Sequence, residues 1–103
     1  MNKVILSGRI CNDIELRQSS NGSYFTNITL AVKRNKDEAD FIRVVAFEQS
    51  AEYLEKYCAK GDKLLIEGNI SVKRYTNKNG NDVDYYSVGA NRVELLASKL
   101  KEQ

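Results

Sequence analysis

The chain has 103 residues, a formal net charge of +2, 29% charged and 42% hydrophobic residues, and no His, Pro or Trp. That length allows one domain with a modest core, the balance excludes a disordered chain, and the lack of His removes the commonest general base and metal ligand. No apolar run reaches membrane-spanning length and no apolar leader opens the chain, so a soluble cytosolic protein is expected.

Residues 3–11 alternate as a strand, with Val4, Leu6 and Ile10 on one face and Lys3, Ile5, Ser7 and Arg9 on the other. Gly8 marks a bulge or a barrel bend. Cys11 and Cys58 match no metal spacing and read as two inert thiols in a reducing compartment. After a turn cluster at 18–22, residues 24–33 form a second strand with Tyr24, Thr26, Ile28, Leu30 and Val32 facing inward. A charged hairpin loop, Lys33 to Glu38, leads to the third strand, 39–47. Its Ile42, Val44 and Ala46 suit a core, whereas Phe41, Arg43, Val45 and Phe47 share the opposite face.

Spacing becomes helical over 50–60, with Ser50 as N-cap, Ala51, Leu54, Tyr57 and Cys58 on one side, and Gly61 just past the end. Residues 63–75 return to strand, with Leu64, Ile66, Ile70 and Val72 on one face and Gly68 as a second bend. A turn at 76–81 precedes one or two strands over 83–96. Three strands, a helix and two more strands describe an all-β chain with one helix: a five-stranded OB-fold Greek-key barrel, the helix between strands 3 and 4. The domain is expected over 1–97, followed by a short polar tail, 98–103.

In such a barrel, strands two and three and the loop between four and five form the binding face. Those segments carry Phe41, Arg43 and Phe47, then Lys73, Arg74 and Tyr75, with Lys33, Arg34 and Lys36 on the hairpin and Lys60 and Lys63 beside the helix end. Rings interleaved with cations suit stacking on bases and contact with phosphates. Bland readings stand beside this one. Arg43 could pair with an acid inside a doubly buried strand, Phe47 could plug a barrel end, and Tyr75 could cap a hairpin. The loop cations could be neutralised by Asp37, Glu38 and Asp40. Tyr53 and Tyr57 fit helix packing, and Tyr85 and Tyr86 alternate, so only one can face the sheet exterior. Catalytic sets are missing: there is no His for a triad, and the loop carboxylates lack metal-site spacing.

Three stretches then carry a family likeness: 2–9, 13–17 and 27–32. Together with Ala39 to Phe47, Ala51 to Leu54, Lys60-Gly61, Ile66 to Gly68 and Val72 to Tyr75, they resemble bacterial single-stranded DNA-binding proteins over about 2–96. The resemblance implies an OB-fold homo-oligomer, tetrameric by family and conceivably dimeric. It would wrap single-stranded DNA without strong sequence preference and without a cofactor, in replication, recombination or repair. It implies stacking roles for Phe41, Phe47 and Tyr75 and backbone contacts for Lys60, Lys73 and Arg74. The chain departs from the family in having Phe and Tyr where Trp is common at 41 and 75, nothing aromatic near 35–36, and Ile14 in place of a usual Pro. It also stops at Gln103 without the linker and acidic tip that recruit repair enzymes, either truncated or never present. The competing expectation is an OB-fold protein-interaction module of a primosome-like assembly that binds DNA weakly. A nuclease is the third.

Overall fold

The computed structural model describes residues 1–98, so most of the expected tail lies outside the described residues. Its elements are β1 (Val4–Ile10), β2 (Arg17–Gln18), β3 (Tyr24–Lys33), β4 (Ala39–Phe47), α1 (Gln49–Tyr57), β5 (Lys63–Thr76) and β6 (Asp82–Ala97). Five of the strands are long, and β2 is a two-residue addition on the edge of β3. The sheet order is β1-β5-β6-β4-β3-β2, closed by a β1–β3 pairing. β4 and β6 run parallel, while the other ladders are antiparallel. The fifth long strand thus lies between the third and fourth, the Greek-key closure expected of an OB barrel, with the helix between the third and fourth.

The inward faces of β3 and β4 fall where their alternation predicts, with one correction: Tyr24, at the start of β3 and one residue outside its ladder with β4, is 39% exposed. Thr26, Ile28, Leu30, Val44 and Ala46 are buried, together with Ile10, Leu64, Ile66, Val88 and Ala90. β1 gains a second partner at its end, pairing with β3 at Arg9–Ala31 and Ile10–Leu30 while Arg9 still pairs with Lys63 of β5. Gly8 makes this possible, because a Cβ there would lie 2.3 Å from the Ala31 carbonyl oxygen. It marks a bend and not a bulge, since the β1–β5 register runs through it unshifted.

The helix covers the barrel between β3, β4 and β6, burying Ala51, Leu54 and Cys58. Burial pushes the Cys58 thiol up to about 11, with Asp62 adding to the shift, so this thiol is unreactive near neutral pH. The expected Ser50 cap is corrected. The helix begins at Gln49, and Glu48, with φ 52°, is the cap residue and makes no side-chain capping bond. The Glu48 carbonyl already accepts from the Glu52 amide at 3.0 Å, which puts Ser50 inside the first turn. The C-terminus is earlier than expected as well: Cys58 is already extended, and Gly61, with φ 96°, serves the following turn instead. Tyr57 is exposed rather than packed. Tyr53 is the tyrosine that meets the core, its hydroxyl accepting from the Leu95 amide at 3.2 Å.

Two features of β5 and β6 lie beyond simple alternation. β6 carries an extra residue at the register shift where Glu67 pairs with Arg92 but Gly68 pairs with Ala90. This bulge lets Val88 and Ala90 face the core and still brings Val93 and Leu95 against it. Beyond Val44–Val88 the β4–β6 ladder stops, while β5 and β6 stay paired out to Thr76–Asp82. The two strands therefore leave the barrel as an arm. Ile70 and Val72 keep the core-facing parity but have no core beneath them and are exposed. No described helix is long and apolar enough to cross a membrane.

One buried group is out of place. Thr26 is fully buried opposite Ala46, and its Oγ1 finds no hydrogen-bond partner among the described residues. Thr26→Val keeps the shape and removes a desolvated hydroxyl, so it is expected to stabilise the fold by about 1–2 kcal/mol. Thermal melts would register this as a rise of at least about 4 °C, and an unchanged or lower midpoint would mean that the hydroxyl is satisfied.

Candidate nucleic-acid interface

Outward residues of neighbouring strands form one continuous surface. On β3 and β4 the cross-strand pairs are Phe25–Phe47, Asn27–Val45, Thr29–Arg43, Ala31–Phe41 and Lys33–Ala39. Phe41 is 71% exposed and Phe47 53% exposed. The doubly buried strand and the barrel plug are therefore both ruled out. The rings stand at either end of a row with Arg43 between them, roughly 20 Å apart at the rise of an extended strand.

The arm forms the other side of an open cleft of about 540 Å³. The barrel contributes Asn27, Arg43 and Val45; the arm contributes Lys73, Tyr75, Asn77, Val83, Tyr85, Tyr86 and Ser87. Ladder parity explains the arm's composition. Lys73 pairs with Tyr85 and Tyr75 with Val83, so these four side chains share one face. Tyr75 is 52% exposed within a strand and is no hairpin cap. It meets Tyr85 edge to face, with ring centroids 5.2 Å apart and planes inclined at 69°. Tyr85 and Tyr86 alternate as expected, Tyr85 across from Lys73 and Tyr86 across from Val72, yet both are exposed and both line the cleft, because the arm has no core on either face.

A second cleft of about 340 Å³ opens further along the same surface. Lys33, Arg9 and Lys63 surround it over a floor of Ser7, Gly8, Ala31 and Ala39. Lys60 is exposed in the adjoining turn, which Arg9 braces by donating to the Gly61 carbonyl at 2.9 Å. Ala31 pairs with Phe41, so the aromatic row links the two clefts.

Two expected cations are held differently. Arg34 is ion-paired with Asp40 and, at 3.5 Å, with Glu38. The hydrogen bond to Asp40 holds its pKa above the ordinary value. Arg34 is therefore neutralised within the hairpin, whereas Lys33 at its base lines the second cleft. Arg74 has opposite parity to Lys73 and Tyr75, and its Nε donates to Asp84 at 2.8 Å. Alternation alone leaves open which of Tyr85 and Tyr86 stands beside Lys73. The available signal was a second alternating segment after the turn at 76–81, whose pairing with the first fixes which tyrosine faces Lys73.

Rings on an outward surface, interleaved with Arg43 and Lys73 and open to solvent, can stack on planar bases of any sequence while the cations meet phosphates. Residues 1–96 match the Single-strand binding protein family, SSB. Among similar proteins, Single-stranded DNA-binding protein 2 of Staphylococcus aureus (strain Mu50) is 37% identical over 105 residues, covering 96% of this chain and 74% of its own. Single-stranded DNA-binding protein 1 of S. aureus (strain MSSA476) is 35% identical, covering 96% of this chain and 67% of its own. Single-stranded DNA-binding protein of Fusobacterium nucleatum is also 35% identical, covering 96% and 69%.

Proposed function

This chain belongs to the single-strand binding protein family, and from that premise and the cleft geometry we propose that it binds and protects single-stranded DNA, largely without sequence preference and without chemistry of its own. Phe41, Phe47 and Tyr75 take bases, while Arg43, Lys73, Lys33 and Lys60 take the backbone during replication, recombination or repair. The observation that carries this reading is the single surface on which two exposed rings of β4 flank Arg43, opposite Tyr75 and Lys73 of the arm. Arg34 and Arg74, already paired with acids, contribute less. The protein acts in the cytoplasm as a homo-oligomer, tetrameric as in its family. In support, the Val4–Ser7 half of β1 pairs only with β5, leaving an edge where Ile5 is exposed.

A titration with a dT oligonucleotide against duplex of equal length, repeated across salt, tests this. Tight binding to the single strand is expected, with log K falling linearly in log[salt]. Lys73→Ala should reduce that slope by about one, and Arg74→Ala should reduce it by less, because its Asp84 partner must be displaced first. Equal affinity for duplex, or binding too weak to saturate at moderate salt, overturns the proposal in favour of a protein-interaction module.

A further inference from the structure

We propose that Tyr85 is itself a base-contacting residue, forming with Tyr75 a two-ring platform that receives successive unpaired bases on the arm. This rests on the reading of the chain as a single-strand binder and names a contact that reading does not include.

Three observations converge on Tyr85. Its ring is 49% exposed while lining the cleft, so it is neither a core residue nor a ring free of the binding surface. It touches Tyr75 edge to face, an arrangement in which the edge of one ring leaves much of both rings uncovered. It also stands directly across the ladder from Lys73. Planes inclined at 69° cannot both lie flat against one base. Two consecutive bases of a single strand can meet them, because the sugar-phosphate linkage turns freely between nucleotides. The parallel, stacked pairs of a duplex cannot. Lys73, beside Tyr85 on that face, is set to meet the phosphate that joins the two nucleotides. Tyr86 has the opposite parity, across from Val72, and shares no ring contact with Tyr75.

The chain contains no Trp, so Tyr85→Trp carries a single indole reporter. Saturation with a dT oligonucleotide is expected to quench its emission, whereas an abasic phosphodiester of equal length should not. Tyr57→Trp, on the exposed side of the helix, serves as the unquenched control. Tyr85→Ala should weaken dT binding by roughly fivefold or more. In the unaltered protein, ultraviolet crosslinking to an oligonucleotide bearing 5-iodouracil should yield an adduct on the peptide that holds Tyr85, a result independent of how any variant folds. Anisotropy of labelled dT measures binding separately. Unaltered protein that fails to bind dT sinks the underlying reading. Normal dT binding with unchanged emission from Tyr85→Trp, or with adducts confined to Phe41, Phe47 and Tyr75, overturns the role of Tyr85 alone.

Discussion

Replacing Phe41 and Tyr75 together by alanine is expected to weaken dT binding by about 2–6 kcal/mol, at least ~30-fold in Kd, while leaving the fold in place. Each stacked base contributes about 1–3 kcal/mol when its ring is removed. Phe41 stands on the outward face of β4 with most of its ring in solvent, so truncation opens no cavity. Tyr75 loses its edge-to-face contact with Tyr85, a cost of about 0.5–1.5 kcal/mol confined to an arm that carries no core. The thermal midpoint should therefore move by only a few degrees. Phe41 lies on the barrel and Tyr75 on the arm, with no ring contact between them. Their effects should add within about 0.5 kcal/mol. A larger coupling energy would mean that a single base is sandwiched between the two rings. Binding of the double variant with unaltered affinity would remove stacking at these rings from the account, whatever the family.

Why these rings were legible and the arm was not follows from the physics of alternation. In β3 and β4 both edges are paired and one face lies on the core. A polar or aromatic residue on the wrong parity would then be buried at a cost, and the pattern is strict. The same rule gave Ile70 and Val72 the right parity and the wrong surroundings. Parity states which face a side chain occupies, not whether anything lies beneath it, and the arm leaves the barrel where the β4–β6 ladder ends at Val44 and Val88. The β6 bulge was readable in principle: Val88 and Ala90, then Val93 and Leu95, break a period of two by one residue at Asn91. Ser50 failed as a cap for a local reason. The reversal from β4 into the helix is made by Glu48 at a positive φ of 52°, with its amide held by the Tyr24 carbonyl at 2.8 Å, so the helix starts before a serine can cap it. The resemblance puts Arg74 among the backbone contacts, and Arg34 sits on a hairpin whose own acids could neutralise it. Only the ladder shows that Asp84 lies across from the first, and only the hairpin shows Asp40 folded back on the second.

Gly68→Ala should damage the framework severely, costing about 3 kcal/mol and roughly 12–24 °C of thermal midpoint. A Cβ at Gly68 would lie 1.8 Å from the Gly89 carbonyl oxygen, 2.9 Å from its carbon and 3.2 Å from the Ala90 Cα. All three are backbone atoms, so no rotamer change relieves the contact, and β5 and β6 must move apart at the bulge. That point is also the root of the arm, where pairs inside the barrel give way to pairs outside it. Displacement there swings Lys73, Tyr75 and Tyr85 relative to Arg43, so dT affinity should fall along with stability even though no cleft residue has changed. Gly89→Ala, one step along the same ladder, is the control. Its Cβ would meet only the Asn69 Oδ1 at 3.2 Å, the movable end of a side chain, and a loss under about 1 kcal/mol is expected. Calorimetry on the two variants separates the cases. If Gly68→Ala melts within about 2 °C of the unaltered protein, the two strands do not approach as closely as this architecture requires, and the arm is not held at a fixed angle to the aromatic row.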